Sequence, residues 1–254
     1  MHLPMRIKRF IGRLMGVDIY GLGARAIRII PRNKRPEAWF SYESILSWII
    51  QEYNIDLVID VGANIGDFTD NLRSYYKGPV ISFEPVRGLY NTLEKVASRD
   101  KNWYVMHYAL ANESKEQEIT VFENSKLSSL LNLNENLTEL FKGSVVRTRE
   151  RIQVRRLDDI LDELPLKVTG RNIFLKLDTQ GYDLEAFRGS SKIMDNIVAL
   201  QSELFHQPIY DYAPHWLESL NEYEKTGFNL VGLYPIIKDG LCYAESDCLM
   251  IKTR

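Results

Sequence analysis

The stretch from Ile55 to Gly66 constrains this chain most, because an apolar strand runs without a break into the turn Asp60-Val61-Gly62-Ala63-Asn64-Ile65-Gly66. A strand apolar on both faces belongs inside a parallel sheet covered by helices. The flanking pattern agrees. Helical spacing over Ser41 to Tyr53 precedes the strand, and a helix is expected from Gly66 onward. Alternation then continues with strand Val80 to Phe83, helix Val86 to Ser98 and strand Trp103 to Leu110. The second half reads as strand Glu118 to Phe122, an Asn-, Ser- and Leu-rich loop from Asn124 to Phe141, and Ile152 to Arg155 leading into Leu157 to Leu161. Strand Asn172 to Leu177, helix Leu184 to Met194, strand Ile197 to Leu204 and helix His215 to Lys225 follow. A hairpin of Phe228 to Tyr234 with Cys242 to Lys252 closes the chain. The fold class is therefore α/β.

In such a sheet ligands bind beyond the carboxyl ends of the strands. Asp60, Glu84 and Asp178 all stand at strand ends. Gly62 and Gly66 let the backbone turn and approach a ligand closely, and the next helix offers free N–H groups. A dinucleotide loop reads G-x-G-x-x-G; this one places Asp60 two residues before its first glycine, where an acid repels a pyrophosphate and favours a cation such as an ammonium. Glu84 can accept both hydroxyls of a ribose. The pair points to an adenosyl amino acid.

Those residues, with Phe83-Glu84-Pro85, Leu175-Lys176-Leu177-Asp178-Thr179-Gln180-Gly181 and Asp247-Cys248-Leu249-Met250, resemble the FkbM family of methyltransferases over roughly three quarters of the chain. The resemblance implies a class I, Rossmann-like three-layer sandwich with a seven-stranded, mostly parallel sheet and an antiparallel C-terminal strand. It implies S-adenosyl-L-methionine as methyl donor and a hydroxyl oxygen of a sugar, glycan or other small metabolite as acceptor. Asp60, Gly62, Ala63, Asn64 and Gly66 are then expected at the methionine end, Glu84 at the ribose, and Ala109 with Leu110 at the adenine edge. Gln180 departs from the pattern, since a Glu is usual there.

Transfer to an alcohol calls for a base near the methyl. Asp178 is the expected near-catalytic acid, with Glu203 and His206 facing the acceptor and His206 intrinsically suited to titrate near neutrality. Lys176 is expected to point off the sheet to solvent. Ser128 and Ser129 are candidate acceptor contacts. Phe205, Tyr210, Tyr212 and Trp216 could stack on a sugar, although packing is the preferred role.

Residues 1–36 carry nine Lys and Arg against Asp18, a net charge of +8 that leaves −10 for residues 37–254. With Ile7, Phe10, Ile11, Leu14 and Met15 this basic arm reads equally as an amphipathic helix for anionic membrane or as a leader packed on the domain of residues 37–254. Arg13 interrupts any apolar signal core and no apolar run reaches ~20 residues, so a cytoplasmic protein is expected, with membrane association through the arm as its open option. Nucleic acid is not the expected partner. A peripheral membrane or RNA-binding protein on a non-catalytic scaffold is the alternative. Cys242 and Cys248, roughly 20 Å apart along a strand, suit no disulfide, and no Cys/His cluster suggests a metal.

Overall fold

The computed structural model describes residues 17–22, 26–31, 41–123, 128–134, 145–207, 209–239 and 242–252. The amphipathic segment Ile7 to Met15 and most of the loop from Asn124 to Phe141 lie outside them. Within the basic arm, β1 (Val17–Leu22) and β2 (Ala26–Pro31) form an antiparallel hairpin.

The domain begins with α1 (Tyr42–Glu52), whose N-terminus is capped by the Ser41 side chain accepting the Ser44 N–H. β3 (Leu57–Val61), α2 (Asp67–Leu72), β4 (Val80–Phe83), α3 (Arg87–Ala97) and β5 (Trp103–Met106) follow. After a second, smaller sheet come β9 (Ile173–Leu177), α4 (Asp183–Arg188), β10 (Ile197–Phe205), α5 (Trp216–Lys225), β11 (Phe228–Asp239) and β12 (Cys242–Lys252).

These strands form one seven-stranded sheet in the order β11-β12-β10-β9-β3-β4-β5. β10, β9, β3, β4 and β5 pair in parallel, and the C-terminal strand β12 runs antiparallel to β10, as expected. Every residue of β3, β4 and β9 is buried. Leu57, Ile59 and Val61 join a cluster on one face with Ile81, Leu175 and Leu200, while Val58 packs on the other with Leu46, Ile49, Val80 and Phe174. The chain builds outward from β3 in both directions, so the strand order reverses beside it and opens a crevice at its carboxyl end.

The second sheet was not legible as such. β6 (Ala109–Leu110), β7 (Lys115–Phe122) and β8 (Val146–Arg155) form it in the order β6-β8-β7. The expected strand Trp103 to Leu110 is therefore split, its last two residues pairing with β8. Helix Leu184 to Met194 is shorter than expected. It ends at Arg188, and a 3₁₀ turn covers Ser191–Ile193. Among the described residues no helix is long and apolar enough to cross a membrane.

Candidate active site

Register explains how the site is assembled. On one sheet face, Ser82, Asp60, Lys176 and Gln201 lie side by side across β4, β3, β9 and β10. Asp60 is fully buried. Its Oδ2 accepts from Thr69 Oγ1 at 3.1 Å and Ser82 Oγ at 3.2 Å, and Lys176 Nζ stands 3.0 Å from its Oδ1. Lys176 does not reach solvent: its side chain is 3% exposed, its ammonium also meets Asp178 Oδ2 at 3.1 Å, and it donates to the Gly62 carbonyl at 3.2 Å. Burial works against the charged lysine, but the Asp178 and Asp60 carboxylates outweigh it and hold the ammonium well above its ordinary range. Asp60 is thus engaged by the protein itself and does not line the cavity beyond it.

That cavity, about 520 Å³, opens at the strand ends. One half is bounded by Gly62, Ala63, Asn64 and Glu84, with an apolar slot of Val86, Leu89, Ala109, Leu110, Ile119 and Leu130. Glu84 is 4% exposed, and each of its oxygens accepts one backbone N–H at 2.8 Å, Oε1 from Val86 and Oε2 from Asn64. A carboxylate oxygen has a second lone pair, so both can still accept from a ligand. Burial pushes the Glu84 carboxyl up to about 8, against the pull of the two amides and Lys176.

The other half is acidic. Asp178, Glu203, Glu245 and Asp247 line it with Gln180 and Thr179. Glu203 faces Asp247 across the antiparallel pair and Glu245 lies diagonally, so all three share one sheet face. Burial, then Asp178 and Glu245, push Glu203 up; burial chiefly raises Glu245 and Asp247, each to about 7. Among the described residues no His, Cys, Asp and Glu group is arranged to hold a metal.

The expected residues divide accordingly. Gly62, Ala63, Asn64, Glu84, Ala109, Leu110, Ser128, Asp178 and Glu203 line the cavity; Asp60, Gly66, Ser129 and His206 do not. Gly66 starts α2 at φ +101°, and a Cβ there would stand 2.7 Å from Trp103. Ser129 Oγ donates to the Gln180 carbonyl at 2.6 Å instead. His206 lies three residues after Glu203 on an extended chain, hence on the opposite face. Its Nε2 bonds Ser246 Oγ at 2.9 Å beside Trp216, and burial followed by His215 lowers its pKa. His206 is therefore withdrawn as a base. Phe205, Tyr210, Tyr212 and Trp216 also lie outside the lining, which favours packing for the buried Phe205 and Tyr210. Sequence reasoning missed Lys176, Glu245 and Asp247 as parts of this site. The alternation Glu245, Asp247 within β12 was the available signal.

Gly62 sets the width of the crevice. It adopts φ +78°, and a Cβ would lie 1.8 Å from the Asp178 carbonyl oxygen. Gly62→Ala therefore combines a left-handed penalty with a backbone clash and is expected to cost about 2–5 kcal/mol. Gly227→Ala, at φ +94° with open space around it, should cost only about 1–2 kcal/mol. Urea unfolding of both variants checks the difference; equal losses would mean the contact with Asp178 is unimportant.

Residues 60–230, about two thirds of the chain, match the family profile described as the Methyltransferase FkbM domain. No curated protein matches the sequence. Among solved structures, magnesium protoporphyrin IX methyltransferase from Synechocystis PCC 6803 with bound SAM is similar at 11% identity and TM-score 0.46, covering 83% of this chain and 77% of that one. Aeropyrum pernix fibrillarin in complex with natively bound S-adenosyl-L-methionine is similar at 10% identity and TM-score 0.46, covering 93% and 94%. A SAM-dependent methyltransferase from Aquifex aeolicus gives 14% identity and TM-score 0.43 over 87% and 95%.

Proposed function

Since the chain belongs to the FkbM methyltransferase family and is an S-adenosylmethionine-dependent methyltransferase, we propose that it methylates a hydroxyl oxygen of a small acceptor, such as a sugar or glycan unit. The observation that carries this reading is the division of one cavity into a Glu84 half and a carboxylate half.

The residues present fit the cofactor. Glu84 has acceptor capacity left for the two ribose hydroxyls, the apolar slot suits adenine, and Gly62 to Asn64 leave backbone beside the remaining methionine portion. Asp60 contributes by fixing Lys176 and not by direct contact. S-adenosylmethionine supplies an electrophilic methyl on a sulfonium. The protein's own task is to orient the acceptor hydroxyl and take its proton. We assign that proton to Glu203, which lines the cavity and whose carboxyl is pushed up by burial and then by Asp178 and Glu245. Asp178 is bound to the Lys176 ammonium and serves to position the acceptor.

Acceptors are tested by incubating the protein with methyl-tritiated S-adenosylmethionine and a panel of sugars, glycosides and the matching sugar acids. Label that survives mild alkali in a hydroxyl-bearing product is the expected result. Alkali-labile label would mark a carboxyl acceptor and overturn the hydroxyl assignment.

Glu84 makes a separate prediction. Ribose hydroxyls donate to its ionised form, so binding favours deprotonation. Affinity should increase as pH rises from 6 through 8 and level off only about one unit above the Glu84 pKa of about 8. Adenosine, which keeps the diol and lacks the amine, isolates this effect in calorimetric titrations. Affinity independent of pH over that window would separate Glu84 from the ribose.

A further inference from the structure

Burying a carboxylate costs free energy unless donors or a counter-charge meet it. The buried carboxylates of this domain follow that rule with one exception. Asp60 accepts from Thr69 and Ser82, and Glu84 from the amides of Asn64 and Val86. Asp158 accepts from Ser191 and the Lys192 amide, and Asp183 from the amides of Thr179 and Glu203. Glu203 accepts from Gln180 Nε2 at 2.9 and 2.8 Å. Glu245 is as deeply placed, at 3% exposed, yet no amide, hydroxyl or ammonium of a described residue donates to it. It lines the cavity instead, beside Ile236 and Ile237 of β11.

The surroundings of Glu245 define what chemistry it can receive. Asp247 shares its face of β12 roughly 6–7 Å along the strand, and Glu203 stands opposite Asp247 on β10. With Asp178 beyond the end of β9, four carboxylates line this half of the cavity. Lys176 is the only cation among the lining residues, and its ammonium is already divided between Asp60 and Asp178. A neutral polyol would fill lone pairs but leave the charges of Glu245 and Asp247 uncompensated once water is expelled. A metal ion needs its oxygens gathered round one point, and among the described residues no group is so arranged. An ammonium brings three donors and one positive charge, and it can meet carboxylates spread along a wall. Burial raises the Glu245 and Asp247 carboxyls to about 7, and an adjoining cation holds them ionised.

We propose that the acceptor is a hydroxylated amine, such as a sugar bearing a free amino group, whose ammonium is held by Glu245 and Asp247 while its hydroxyl meets Glu203. The inference rests on the hydroxyl-transfer reading with Glu203 as base, and it narrows the acceptor from polyols in general to cationic ones. A protonated amine has no lone pair, so on these carboxylates it is a handle for binding and not the nucleophile.

The test is binding without turnover. The full chain is saturated with S-adenosylhomocysteine, which has no methyl to transfer. It is then titrated calorimetrically with methyl glucosides carrying an amine at carbon 2, 3 or 6, each beside its parent glucoside and its N-acetyl form, and with the same set on the galactose frame. At least one amine should bind tighter than both neutral counterparts by about 10-fold or more, and the nearly isosteric Glu245→Gln should remove most of that preference. Asp247→Asn should reduce it in the same direction, and it decides the matter if circular dichroism shows that Glu245→Gln does not fold. Neutral sugars binding as well as their amines, or no saturable binding by any amine, would overturn the proposal. So would a preference for amines that survives in the folded variants. The cofactor is the rival cation. If Glu245→Gln weakens S-adenosylmethionine binding by about 10-fold while the sugars stay unseparated by charge, the carboxylates serve the sulfonium and the proposal falls. A failure of the hydroxyl-transfer reading shows elsewhere, as label on nitrogen or a carboxyl or as unchanged turnover in Glu203→Gln, and leaves these affinities as they are.

Discussion

Replacing Lys176 with methionine should lower the free energy of unfolding by about 3–5 kcal/mol, among the largest losses for a single change in this domain. The reason is not the lysine's own packing. Asp60 is fully buried, and the ammonium 3.0 Å from its Oδ1 is its counter-charge. Thr69 and Ser82 still donate to Oδ2 in the variant, yet they bring no charge. The same substitution releases the Gly62 carbonyl and Asp178, so both walls of the crevice loosen together. Adding Asp60→Asn to Lys176→Met should recover most of the loss, because a neutral amide needs no counter-charge. Urea unfolding of the two single variants and the double variant gives the coupling directly. A loss below about 1 kcal/mol for Lys176→Met, within the range of exposed ion pairs, would contradict the buried position.

Glu203→Gln should reduce kcat by about 10²–10⁴-fold, the range typical of losing a general base. The change is nearly isosteric. The new amide oxygen can still accept from Gln180 Nε2, which donates to the Glu203 carboxylate in the wild type, so the packing at the end of β10 has reason to persist. In the wild type, methyl transfer should fall as pH drops, because Glu203, pushed up by burial and then by Asp178 and Glu245, takes up a proton and can no longer act as the base. The variant should lose that limb of the profile. Turnover within threefold of the wild type would remove Glu203 from proton acceptance and direct attention to Asp178.

Much of the fold was legible because the central strands are apolar on both faces and glycines mark the turn after β3. Ile55 to Val61, Val80 to Phe83 and Asn172 to Leu177 could hardly be anything but interior strands. The second sheet was hidden by its exposure. Val146 to Arg149 of β8 face solvent, with arginines alternating along a strand whose buried positions begin only at Ile152. Lys176 was misread because a lysine usually extends its ammonium to water. What keeps it inside is Asp60 on the neighbouring strand, a register fact that no local pattern carries. His206 was misassigned for a simpler reason, since its odd spacing from Glu203 already sets the two on opposite faces. Glu245 and Asp247 entered the site only through the pairing of β12 with β10. Strand-end residues were thus readable one strand at a time, and the partnerships between strands were not.

The central claim is that the cavity between Glu84 and Glu203 holds the cofactor by its ribose at one end and the acceptor at the other. Calorimetric titration of S-adenosylmethionine into the wild type and Glu84→Ala at pH 8 tests it most directly. The account predicts saturable one-to-one binding to the wild type and affinity weaker by about 10- to 150-fold in the variant, the equivalent of losing hydrogen bonds to a charged group worth about 1.5–3 kcal/mol. Equal affinity in the two proteins would contradict it, because the ribose would then lie elsewhere and the division of the cavity would lose its anchor.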